Sequence, residues 1–102
     1  MEQAVIIKFR YYYDTLDELH RLEDLIENLL VKEEVGEYDG YEISHINNEV
    51  TLFFYGSDSN KIWQILKPFF EGKEYFKGAN VLLRYGPPEP GVDQLWFILS
   101  DN

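Results

Sequence analysis

The sequence predicts an α+β fold built on a single antiparallel sheet, on three observations. Runs rich in β-branched and aromatic residues alternate with two stretches of helical periodicity, in the order β-α-β-β-α-β-β. Each run is short and bounded by Gly, Pro, Asn or Asp. The chain is 102 residues long and 45% hydrophobic, enough for one core and one domain spanning 1–102.

Residues 4–13 predict the first strand. Val5, Ile7, Phe9, Tyr11 and Tyr13 fall on one face, and Ala4, Ile6, Lys8, Arg10 and Tyr12 on the other. One face is thus core-like and the other mixed, as in a sheet buried on one side. Thr15 and Glu18 have capping-box spacing, in which the Thr15 hydroxyl accepts the Glu18 amide. Leu19, Leu22, Leu25, Ile26, Leu29 and Leu30 then form one apolar helical stripe, with Glu23, Asp24 and Glu27 outside it. Gly36 is the expected left-handed stop.

Residues 36–44, GEYDGYEIS, are the organising stretch: two glycines bracket a Glu-Tyr-Asp triplet, read here as a loop. A short strand is predicted over 41–46 and its partner over 49–55, with Asn47-Asn48 as a two-residue turn. Residues 56–59 offer caps for a second helix carrying Ile62, Ile65, Leu66, Phe69 and Phe70, disturbed near its end by Pro68. Residues 72–78 read as a loop, 80–85 as a strand, 86–91 (GPPEPG) as a stiff connection and 94–99 as the last strand. Two interleaved right-handed β-α-β units give a ferredoxin-like sheet in the order 4-1-3-2, helices on one face, the fifth strand beside the fourth.

Charge restricts the partners. The net charge is −10, and between Asp14 and Glu42 eleven carboxylates stand against two cations, a local balance of −9. Such a field repels nucleic acid and anionic membrane and attracts cationic proteins. No cysteine is present, so there is no disulfide or thiolate chemistry, which fits a reducing compartment. The first residues lack signal-peptide character and no apolar run reaches membrane-spanning length, so the expectation is a soluble, cytoplasmic protein.

The stretches GEYDGYE after an acidic helix, TLFFYGSD before the second helix, and VLLRYGPPEPG near the end resemble a group of short bacterial proteins with no assigned activity. The resemblance spans most of the chain. It implies a shared fold and ancestry, and no functional residue, cofactor or partner comes with it.

Catalysis would need carboxylates with divergent environments, and Glu37, Asp39 and Glu42 are the set to weigh. Nothing apolar flanks them to desolvate one member, so a solvated or partner-facing role outweighs catalysis. The same oxygens suit a hard cation, but their spacing is not that of an EF-hand loop. His20 and His45 lack helical zinc spacing, and no nucleophile elbow or phosphate-cradling loop occurs. The expectation is a non-enzyme with no cofactor and no metal site. Tyr12, Phe53 and Tyr55 with Lys8 and Arg10 would suit base stacking on an open sheet face, but a pI near 4.5 opposes RNA.

Two functional readings remain. In the first, Glu23, Glu27, Glu37, Tyr38, Asp39 and Glu42 form one acidic surface for a basic protein, as in an immunity- or inhibitor-type module. In the second, Ile6, Phe53 and Tyr55 form a face through which a sensing or structural domain homodimerises. Salt separates them, since charge-steered association weakens as salt rises.

Overall fold

A computed structural model describes residues 2–12, 15–71, 73 and 76–99. The elements are β1 (Gln3–Arg10), α1 (Asp17–Glu33), β2 (Glu37–Ser44), β3 (Glu49–Gly56), α2 (Ser59–Phe70), β4 (Asn80–Arg84) and β5 (Gln94–Ile98). They form one five-stranded sheet in the order β2-β3-β1-β4-β5, every neighbouring pair antiparallel. This is the split α+β, ferredoxin-like arrangement, extended by β5.

The core lies on one face of the sheet. Val5, Ile7 and Phe9 of β1, Val50, Leu52 and Phe54 of β3, and Val81 and Leu83 of β4 meet Leu19, Leu22, Ile26 and Leu30 of α1 and Ile62, Trp63, Leu66 and Phe70 of α2. The period of two on the strands and of 3.6 on the helices produces this match. Leu25 departs from the expected stripe: it is 53% exposed, while Leu22 and Ile26 are buried on either side of it. Six apolar residues at these spacings span more arc than the sheet can cover.

The entry to α1 differs from the capping box. Leu16 holds the cap position with no side-chain hydrogen bond, and the Thr15 hydroxyl accepts only from the Asp17 amide, at 3.4 Å. The buried Tyr11 hydroxyl acts there instead. It donates to the Thr15 carbonyl and accepts from the Leu19 amide, so the end of the first sheet segment anchors the turn into α1. Tyr13, expected on the buried face, lies outside the described residues, as do Asp14 and, from the segment expected to be a loop, Gly72, Glu74 and Tyr75.

The exit from α1 also differs. Glu34, with φ of 55°, takes the left-handed position, and its amide reaches the carbonyls of Leu30 and Val31. Gly36 serves a different need. A Cβ there would lie 2.5 Å from the Tyr55 carbonyl oxygen, and one on Gly56 would lie 2.7 Å from the Val35 carbonyl oxygen. The start of β2 and the end of β3 approach so closely that neither backbone can carry a side chain.

From Glu37 onward the GEYDGYE stretch is strand, not loop. Tyr38 pairs with Phe54 and Tyr41 with Leu52, so Asp39 and Gly40 together oppose Phe53 in a β-bulge. Gly40, with φ of 97°, supplies the conformation that an extra residue requires. The turn after β2 is four residues, 45–48, rather than two. Asn48 is left-handed (φ 57°) and the Asn47 side chain accepts from the Glu49 amide at 3.1 Å.

α2 is capped by Asp58, whose carboxylate accepts from the Lys61 amide at 3.2 Å. Buried Ser59 donates through its amide and hydroxyl to Gln3 Oε1, locking β1 to the start of α2. Pro68 falls in the last turn, and the helix ends at Phe70. Among the described residues, no helix is long and apolar enough to cross a membrane.

Candidate protein-docking face

The sheet face opposite the helices is open, and the strand register fixes what lies across it. Ile6 stands between Phe53 and Leu82, and Leu82 in turn opposes Trp96. Phe53, Ile6, Leu82 and Trp96 therefore form an apolar band across four strands. Beside it, Tyr55 opposes Ala4, and Thr51 opposes Lys8, which faces Asn80 and then Ile98. Two shallow depressions lie along the band. One is lined by Ile6, Lys8, Asn80, Leu82 and Trp96, the other by Asp39, Tyr41, Glu42, Phe53 and Tyr55.

The edge strand β2 gives this face its charge. Glu37 opposes Tyr55, Glu42 opposes Thr51, and Asp39 occupies the bulge opposite Phe53. The bulge adds one residue, so positions 37, 39 and 42 share the open face although their spacing is uneven. All three carboxylates are exposed. They stand in water beside rings rather than inside an apolar enclosure, an arrangement suited to ion pairing more than to proton transfer.

The acidic residues expected to form one surface are divided by β2. Tyr38 points to the helix side, packs on Phe54 with ring centroids 5.2 Å apart, and donates its hydroxyl to Glu23 Oε2 at 2.5 Å. Burial, then the hydrogen bond to Glu23, then the charges of Glu23 and Glu27 push the Tyr38 hydroxyl above its ordinary pKa of 10.0. Glu23 and Tyr38 thus tie α1 to β2, and Glu27 remains exposed on the helix. The pleat separates them: in an extended strand neighbouring side chains leave on opposite faces.

Ile6, Phe53 and Tyr55, taken from the sequence as a dimer face, do lie together on the open side, next to Glu37, Asp39 and Glu42. Sequence reasoning missed Leu82, Trp96 and Ile98, which extend the same face. Alternation along β4 and β5 was the available signal, since Val81 and Leu83 are core residues and their neighbours must point away. Trp96 is 59% exposed and Ile98 55%.

The cations of the face are few. Lys8 Nζ is 4.0 Å from Glu49 Oε1, Arg10 lies in the next row, and Arg84 is buried with its Nε donating to the Gly86 carbonyl at 2.7 Å. His20 is exposed on α1, its ring 6.4 Å from that of Tyr41, and His45 lies in the exposed turn after β2. Among the described residues, no three His, Cys, Asp or Glu side chains converge as metal ligands do.

No family model, curated protein or solved structure matches the chain, so no functional residue is carried over from a relative.

Proposed function

We propose that this protein is a non-catalytic binding module that receives a basic protein partner on the open face of its sheet. The observation that carries the reading is the juxtaposition of carboxylates and rings across β2 and β3: Glu37 beside Tyr55, and Asp39 beside Phe53. An arginine suits that pairing better than any other side chain. Its guanidinium stacks on an aromatic face and donates in its own plane to a carboxylate. Tyr38 and Glu23, joined to each other, support the edge from behind, and Glu27 adds to the field that steers a cation toward it.

An immunity- or inhibitor-type role, in which the module covers the basic surface of a toxin or nuclease, fits this chemistry. Nucleic acid and anionic membrane do not, because the face would present its own anions to theirs. The absence of cysteine from the chain agrees with a cytoplasmic setting.

The competing occupant is a second copy stacked on Ile6, Phe53 and Tyr55. The basic partner is favoured because the face carries three exposed carboxylates at one edge, while its Lys8 is already beside Glu49. Titrating the labelled protein with an arginine-rich peptide, and separately with a lysine-rich peptide of equal charge, tests the reading by NMR. Shifts concentrated on β2 and β3, larger for arginine, are expected. Shifts centred on α1, or equal for both peptides, would reject the ring-and-carboxylate site.

A further inference from the structure

The two edges of the sheet are built differently. At one, β2 carries Glu37, Asp39 and Glu42 and is bent by the Asp39–Gly40 bulge. Charges and bulges are devices that keep an edge strand from pairing with another chain. At the other, β5 reads Gln-Leu-Trp-Phe-Ile, with no charge, no proline and an unbroken register against β4. Among the described residues, no sixth strand lies beyond it.

The ladder shows which of its backbone groups point outward. The Tyr85 amide donates to the Asp93 carbonyl and the Leu99 amide to the Ala79 carbonyl. Hydrogen-bonded pairs alternate in an antiparallel ladder, so Leu95 and Phe97 bond inward to β4. The amides and carbonyls of Gln94, Trp96 and Ile98 therefore face the open edge. Both flanks of that edge are apolar. Trp96 and Ile98 lie on the open face, and Leu95, 50% exposed, lies on the helix side next to Phe97, which packs on Trp63.

We propose that β5 pairs with β5 of a second copy of this chain, making a continuous ten-stranded sheet about a two-fold axis at Trp96. In that register Gln94 bonds to Ile98 of the second copy, Trp96 to its counterpart, and Leu95 covers Phe97 across the axis. The strand is self-complementary: both partners are uncharged and apolar on both flanks, so no charge is buried. The strand order supplies a second argument. β2 and β5 are opposite edges, so pairing at β5 holds the two acidic β2 strands roughly 40 Å apart at a strand spacing of ~4.8 Å. That is several times the ~8 Å screening length at physiological salt, so two chains of charge −10 can associate there with little repulsion between their acidic edges. This inference does not depend on the docking face proposed above, which it leaves open on each copy.

Sedimentation of the intact protein from micromolar to millimolar concentration, combined with hydrogen exchange, tests it. The expected result is a dimer whose formation slows exchange at Gln94, Trp96 and Ile98, while Leu95 and Phe97 are already slow in the monomer. Ile98→Pro removes an outward amide without touching the β4 ladder and should abolish the dimer while leaving the monomer folded. Leu95→Lys, which alters only an exposed side chain, should do the same and serves if the proline variant misfolds. A monomer throughout the range overturns the proposal. So does a dimer that survives Leu95→Lys, or one lost instead through Phe53→Lys with no alternating protection along β5.

Discussion

The Tyr38 hydroxyl donates to Glu23 Oε2 at 2.5 Å, joining the edge strand β2 to α1. A bulge-containing edge strand is the part of a sheet most apt to fray, and this bond fastens it beside the bulge. A hydrogen bond to a charged acceptor contributes about 1.5–3 kcal/mol. Partial exposure lowers that, so Tyr38→Phe should cost about 1 kcal/mol in urea unfolding. The pH dependence has a definite sign. The hydroxyl's folded pKa lies above the ordinary 10.0, so the unfolded chain releases this proton first. Its contribution is fully present below pH 10.0 and declines as pH rises beyond it. A melting curve for Tyr38→Phe should therefore fall less steeply above that pH than the parent's; parallel curves would count against the bond.

Ile26 is fully buried between α1 and the sheet. Ile26→Ala removes three carbons from a site walled by Leu22, Leu30 and the strands, which can collapse little. A loss of about 2–5 kcal/mol is expected in equilibrium denaturation. Leu25→Ala, one position away but half exposed, should cost well under half of that.

Gly36→Ala tests the close crossing of β2 and β3. The added methyl would sit 2.5 Å from a backbone oxygen, which cannot swing aside as a side chain does. Strain of this kind costs about 1–3 kcal/mol. Calorimetry should show a clear loss of melting temperature, although Gly36 has no left-handed φ to explain it. A neutral outcome would mean that the two strands separate readily.

Much of this fold was legible because it depends on local periodicity. The alternation in β1 and β3 and the 3.6-residue stripe with Leu22 and Ile26 fixed which side chains face the core, and the connection lengths then constrained the strand order. What escaped depends on contacts between distant segments. The cap of α1 is a tyrosine on the far side of the turn, so the Thr15 and Glu18 spacing pointed to the wrong acceptor. Gly36 resembles a helix stop, but its reason is the Tyr55 carbonyl, nineteen positions away. Asp39 and Gly40 looked like a loop because a bulge and a turn use the same residues. That misreading also joined Glu23 and Tyr38 to Glu37, Asp39 and Glu42, which the pleat sends to opposite sides of β2.

The central claim is that a basic partner docks on the open face, at the carboxylates of β2, rather than on acidic α1. A charge-matched comparison tests it most directly. Glu37→Gln with Glu42→Gln and, separately, Asp24→Asn with Glu27→Gln each remove two charges from exposed positions, and each should leave the melting temperature nearly unchanged. Affinity for one arginine-rich peptide is then measured by calorimetry at low and high salt. The β2 pair should weaken binding at low salt well beyond the α1 pair and flatten the salt dependence further. Equal weakening by both pairs, or a larger effect from the α1 pair, would contradict the account.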